Sequence, residues 1–226
     1  MITSELIAGA KPLLDFIAKP ESGGDYNIVW GGIAKKHRPA SLVAMTVGEV
    51  LAWQDSIDPL YMSEAAGRYQ IMEDTLRSLY REAGVSLNSK YDAATQDRLA
   101  TALLIRRGYN AFLAGGLTVQ EFANNLAKDW ASLPVVSGPK AGKSYYGGDG
   151  LNKSHVSVDA FLAAVTAARP VSPVSQPAAP TAGTIQPQVA PAAPTQPKPQ
   201  PAASAPGFWA ALVSLIVSYL RSIWNG

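Results

Sequence analysis

The chain has 226 residues, 47% of them hydrophobic, with no cysteine and only two histidines, His37 and His155. That is enough for one sizeable domain with length to spare, and it excludes a disulfide framework, a thiolate zinc site and a polyhistidine metal centre, so no metal or cofactor is expected. All 17 acidic residues and all but three of the 19 cations precede residue 169, which leaves that part nearly neutral, without the basic stripe of a nucleic-acid binder.

The opening stretch "MITSELIAGAKPLLDF" lacks a basic start, a long apolar core and a small-residue cleavage site, so no signal peptide is expected. Residues 11–22, "KPLLDFIAKPES", read as a helix opened by Pro12 in its first turn. Leu13, Leu14 and Ile17 share a face, and Glu21 lies four residues past Ile17 on that face. A carboxyl on the buried side favours its neutral form, which raises its pKa towards the range a general acid needs. Pro20 disfavours helical backbone just before it and removes an amide donor. Taken alone, this stretch reads more plainly as an exposed glutamate at a helix end.

Next come "YNIVWGG" and, further on, "GRYQIM", both short, aromatic or β-branched and glycine-bounded, which predicts a small β-hairpin region. Thr46–Glu49 and Thr118–Glu121 fit the T-x-x-E capping box and open two helices. "EDTLRSLYREAG" shows helical spacing and stops at Gly84. "DAATQDRLATALLIRRG" starts at an Asp92 cap and stops at Gly108, and "SVDAFLAAVTAA" closes the domain. The fold class expected is α+β, mostly helical, over residues 1–168.

Three stretches suit a polar ligand. In "SEAAGRYQIM", Gly67 permits a tight turn, Tyr69 offers a stacking surface and Gln70 an amide that donates and accepts. "KDWASLP" brings Trp130, read as core packing. The following loop is glycine-rich and carries Tyr145 and Tyr146. Aromatic faces beside amide and hydroxyl donors match sugar rings, which are apolar on their faces and polar at their edges.

Residues 169–206 are rich in Pro and Ala, with 11 of the 17 prolines. Such a segment cannot bury enough apolar surface to fold, and as an extended spacer it reaches at most about 115 Å. In the last segment, 207–226, Phe208 to Leu220 holds two serines and no charge, and Trp209 and Trp224 sit near its ends. Residues 208–224 are therefore expected to span a membrane at the short end of the usual length, to lie on its surface as an amphipathic helix, or to dock on a particle or partner protein.

Taken together, "ESG" at 21–23, "YNIVWGG", His37-Arg38-Pro39, "AAGRYQIM", "WASLP" and a Tyr-Gly loop follow one another in a single order over roughly residues 10–150. This series resembles the lambda-phage type of endolysin, the lytic transglycosylases of glycoside hydrolase family 104 within the lysozyme-like superfamily. The resemblance implies a lysozyme-like fold acting on peptidoglycan glycan strands, with Glu21 as the sole acid/base. Ser22, Tyr26, Arg68, Tyr69, Gln70, Tyr145 and Tyr146 would then contact the substrate. Glu21 would protonate the oxygen between N-acetylmuramic acid and N-acetylglucosamine, then act as base while the muramyl C6 hydroxyl closes a 1,6-anhydro ring. Pro20 and the long loop after "WASLP" depart from that pattern. A muramidase, which hydrolyses the same bond, would call on a second carboxylate, with Asp25, Asp55, Asp58 and Glu64 as candidates. A protein of another class, one that binds the wall or builds the phage particle without catalysis, would use the same scaffold with an idle Glu21. The expected location is a phage virion or the host inner membrane, with the catalytic domain facing the periplasm.

Overall fold

The computed structural model describes residues 2–147 and 153–169. The linker beyond Arg169 and the apolar tail 207–226 lie outside these residues. Among the described residues no helix is long and apolar enough to cross a membrane.

The first helix, α1, runs from Ser4 to Ser22 and is longer than the sequence suggests. Its cap is Thr3, whose hydroxyl accepts the Leu6 amide at 3.2 Å, so Pro12 does not open the helix but lies inside it. Pro12 stands on the exposed side, where the carbonyl it leaves unbonded can turn to water. Ala10, Leu13, Leu14, Ile17 and Ala18 form the buried stripe expected of an amphipathic helix.

α2 (Val47–Ile57) and α6 (Val119–Leu126) begin at complete capping boxes, as the T-x-x-E spacing predicts. α3 spans Glu73–Leu79, and α4 spans Ala93–Arg106 behind the Asp92 cap. After α4 the short α5 (Tyr109–Leu113) begins at Gly108, and α7 (Val158–Ala167) starts at Ser157. α1 packs against α4 and α7, and α7 packs in turn on α6. Phe112 and Phe122 stack at 4.6 Å, and Phe16 and Phe161 at 6.1 Å, tying α5 to α6 and α1 to α7.

The expected β-hairpin is absent among the described residues, which contain only isolated bridges, among them Val29 with Ala66 and Ala66 with Ile71. Gly67, at φ 76°, and Gln70, at φ 48°, turn the chain immediately after Ala66. Across this turn, pairing is confined to Ala66 and Ile71, which exchange both backbone hydrogen bonds. The ladder extends no further because Met72, the residue after Ile71, already caps α3. The domain is thus helical, with one tight turn, residues 67–70, wedged between the end of α1 and α4.

Candidate active site

Glu21 sits in the last turn of α1. Pro20 has no N–H for the carbonyl of Phe16, yet the helix continues to Ser22 because Ser22 is tied down. Its hydroxyl is 3.1 Å from Ala18 O and 2.7 Å from Arg68 O, and it accepts the Gly24 amide at 3.0 Å. Gly23 then leaves the helix in the left-handed conformation, at φ 64°. Ser22 is buried and its hydroxyl is fully occupied. The structure therefore gives it an anchoring place and not the substrate contact that the resemblance implies.

The Glu21 carboxyl is not in open solvent. Its Oε1 accepts the Ser132 hydroxyl at 2.5 Å. Burial pushes its pKa up, while bonds from the Ser132 hydroxyl and backbone, and the charge of His155, pull it partly back. Ser132 is itself buried, and its carbonyl accepts the His155 amide at 2.8 Å. Burial therefore favours the protonated form of this acid, and the Ser132 hydroxyl favours its anion.

A second network runs along the same side. Arg68 Nη1 donates to Tyr26 Oη at 3.1 Å and Nη2 to Asp15 at 2.5 Å. The guanidinium carbon lies 4.9 Å from the Tyr26 ring centroid and 5.6 Å from that of Tyr69. Tyr26 and Tyr69 both donate to Asp97 Oδ1, at 2.9 and 2.6 Å. Tyr69 is 1% exposed, so it has no free face for a sugar, and the stacking role expected from the sequence is corrected. The buried ring fills the core while its polar end is taken by Asp97. Gln70 stays half-buried and bonds Gly67 O through Nε2 at 2.9 Å.

Trp130 is in the core, as its sequence context suggests, and its Nε1 donates to Tyr69 O at 3.2 Å. The loop beyond it presents an exposed Tyr145, whose ring meets Tyr146 edge-on at 5.2 Å with Lys140 Nζ 5.5 Å from its centroid. Tyr146 donates to Lys128 O at 2.5 Å, and burial pushes its pKa up to about 12. Tyr145 thus keeps the free aromatic surface of the pair.

Two of the candidate second carboxylates have other work. Glu64 Oε1 accepts the Glu73 amide at the start of α3 (3.0 Å), and Asp25 accepts the Asn27 amide at 2.8 Å in the loop after α1. Asp55 stands in the last turns of α2, and Asp58 begins the 3-10 turn that follows it. The sequence reading missed Ser132, His155, Asp15 and Asp97. Only Ser132 carried a signal, inside the quoted "WASLP". A surface groove of about 440 Å³ exists elsewhere, lined by Leu6 and Gly9 of α1 with Tyr109, Leu113 and Ala167. Gly9 and Glu21 are twelve residues apart on α1, about 18 Å along its axis, so that groove is not the place of this acid.

Residues 53–158 match the family model described as Endolysin. This stretch is similar to the endolysin family. The endolysin match takes in Arg68, Tyr69, Gln70, Trp130, Ser132 and the 135–154 loop, and begins after α1. That similarity points to the degradation of peptidoglycan in phage lysis as the activity to test. Comparison with curated proteins and with solved structures gives no match. Glu21 lies outside the endolysin match, yet the contact it receives comes from within it, through Ser132.

Ser132→Ala tests that contact. Removing the hydroxyl withdraws a bond that favours the carboxylate, so Glu21 should hold its proton to higher pH. The alkaline limb of the pH–activity profile is expected to move upward, with a rate at the optimum lowered by about tenfold. An unmoved limb would uncouple the Ser132–Glu21 contact from the activity.

Proposed function

We propose that the protein is a lytic transglycosylase that uses Glu21 as its single acid and base. The observation that carries this reading is the Glu21 carboxyl at the end of α1, whose Oε1 accepts the Ser132 hydroxyl at 2.5 Å and whose pKa burial pushes up, while Asp25 and Glu64, two candidates for a second carboxylate, are held by backbone amides. Glu21 gives its proton to the bridging oxygen as the bond from muramyl C1 breaks. The C6 hydroxyl of the same sugar then attacks C1, and its proton returns to Glu21. The products are a 1,6-anhydromuramyl end and a free 4-hydroxyl on N-acetylglucosamine. No water is consumed and the acid is regenerated.

Tyr145, with its exposed ring, is the surface we assign to a sugar face, while Arg68, Tyr26 and Gln70 shape the wall of the cleft. Mass analysis of muropeptides released from purified wall is the test. Ends lighter than reducing ends by one water are expected. Reducing ends alone would make the enzyme a muramidase and overturn the single-acid route.

In this reading residues 169–206 tether the domain, and residues 208–224 hold it to a membrane or a particle. The location follows as a virion or the host inner membrane, with the enzyme facing the periplasm. Protease protection of the C-terminal segment in cells and in particles checks it: full digestion of that segment in both would remove the anchor.

A further inference from the structure

The turn at residues 67–70 touches both halves of the proton site through two consecutive carbonyls. Arg68 O holds the hydroxyl of Ser22, the neighbour of Glu21, at 2.7 Å. Tyr69 O holds Trp130 Nε1 at 3.2 Å, two residues before Ser132. Nothing in a four-residue turn with two left-handed residues fixes those carbonyls by itself. They are fixed from α4, where Gln96 Oε1 accepts the Arg68 amide at 2.9 Å and Asp97 Oδ1 accepts both phenols. Asp97 is further anchored through its own carbonyl, which accepts the Thr101 hydroxyl at 2.8 Å.

We propose that Asp97 is a positioning residue: its carboxylate, through Tyr69 and Tyr26, locks the 67–70 turn, and the turn keeps Glu21 and Ser132 in register. Asp97 touches neither reacting atom, and among the described residues the charged group that acts on Glu21 through space is His155. The inference rests on the reading of Glu21 as the acid, but its test does not need that reading.

The test follows the Glu21 carboxyl by carbon NMR in the full-length protein, with glutamate labelled and the Glu21→Gln spectrum identifying the signal. In Asp97→Ala the phenols lose their acceptor, the turn relaxes and the Ser132 bond weakens. The Glu21 midpoint is then expected to rise by about half a unit or more, in the same direction as Ser132→Ala. Loss of Asp97's negative charge acting through space would lower the midpoint instead, so the sign separates the two routes. Asp97→Asn retains an oxygen acceptor and should keep the parent midpoint. The double variant Ser132→Ala/Asp97→Ala should titrate no higher than Ser132→Ala alone, because both changes remove one bond. On wall substrate, kcat of Asp97→Ala should fall about tenfold, as misplacement of a reacting group produces. A midpoint in Asp97→Ala that is unmoved or lowered, or a double variant that sums the two shifts, overturns the proposal. If Asp97→Ala does not fold, Tyr69→Phe removes one of the two donors while keeping the ring, and its midpoint decides by the same criterion. Wall clearing by Glu21→Gln at the parent rate would overturn the catalytic reading instead and leave the titration result standing.

Discussion

Glu21→Gln is expected to lower the rate of wall clearing by about 10²–10⁴-fold, the span assigned to a positioned general acid, and at the same time to stabilise the fold at neutral pH. The two effects have one origin. Burial raises the pKa of Glu21, so the folded chain keeps this proton after the unfolded chain has lost it. Stability then falls as pH rises from the unfolded carboxyl value, about 4.3, until the folded value is passed, and the whole penalty is present above it. Gln keeps an oxygen for the Ser132 hydroxyl and carries no charge to desolvate. The melting temperature of the variant should therefore exceed the parent's at pH 7, by about 2–4 °C for each kcal/mol relieved. The difference should shrink as pH is lowered through the window. Thermal unfolding across pH 3–8, run beside a clearing assay, reads both. A variant that clears like the parent removes Glu21 from the chemistry, whatever its melting curve does.

How much of this could be seen in the chain alone depends on how local the physics is. The caps at Thr46, Asp92 and Thr118 were legible because a side chain and an amide three residues on make the whole interaction. The start of α1 was not, since Thr3 lacks the acidic partner that completes a capping box and Pro12 offered a competing start. The strands failed for a different reason. "GRYQIM" has β-forming side chains, but its backbone is set by left-handed Gly67 and Gln70, and a positive φ at glutamine has no sequence signature. At the site, spacing put Glu21 on the apolar face of a helix, but Pro20 and the helix end made an exposed glutamate the plainer reading of that stretch. Its partner Ser132 is 111 residues away, and a serine hydroxyl carries no pattern that points so far. Tyr69 was misread because an aromatic beside a glycine looks alike whether it lines a cleft or fills a core. Asp97 decides the matter from the interior of α4, where an acid in a helical run reads as solvated.

The dependence of the site on one turn makes Gly67 the most sensitive backbone position near it. At φ 76°, an added Cβ would stand 2.3 Å from Gln96 Oε1 and 3.1 Å from Tyr91 Cε1. Gln96 is fully buried and cannot swing aside cheaply. Its oxygen holds the Arg68 amide, and its nitrogen donates to Tyr26 O at 3.0 Å and Tyr91 O at 2.8 Å. The left-handed backbone costs alanine about 1–2 kcal/mol, and each displaced hydrogen bond adds about 0.5–1.5 kcal/mol. Gly67→Ala should thus lose about 3–5 kcal/mol, a large share of the 5–15 kcal/mol that holds a typical domain. Gly84→Ala is the control. Its φ is 68°, but the nearest atom is the tip of Arg98 at 3.5 Å, so only the backbone cost remains. In thermal melts Gly84→Ala is expected to fall by about 2–8 °C and Gly67→Ala by about 6–20 °C. The surviving folded fraction of Gly67→Ala should also clear wall more slowly per molecule, because Arg68 O and Tyr69 O move with the turn that carries them. Equal losses in the two variants would mean that Gln96 yields freely, and that the 67–70 turn is not the rigid bracket between α1 and the Ser132 segment.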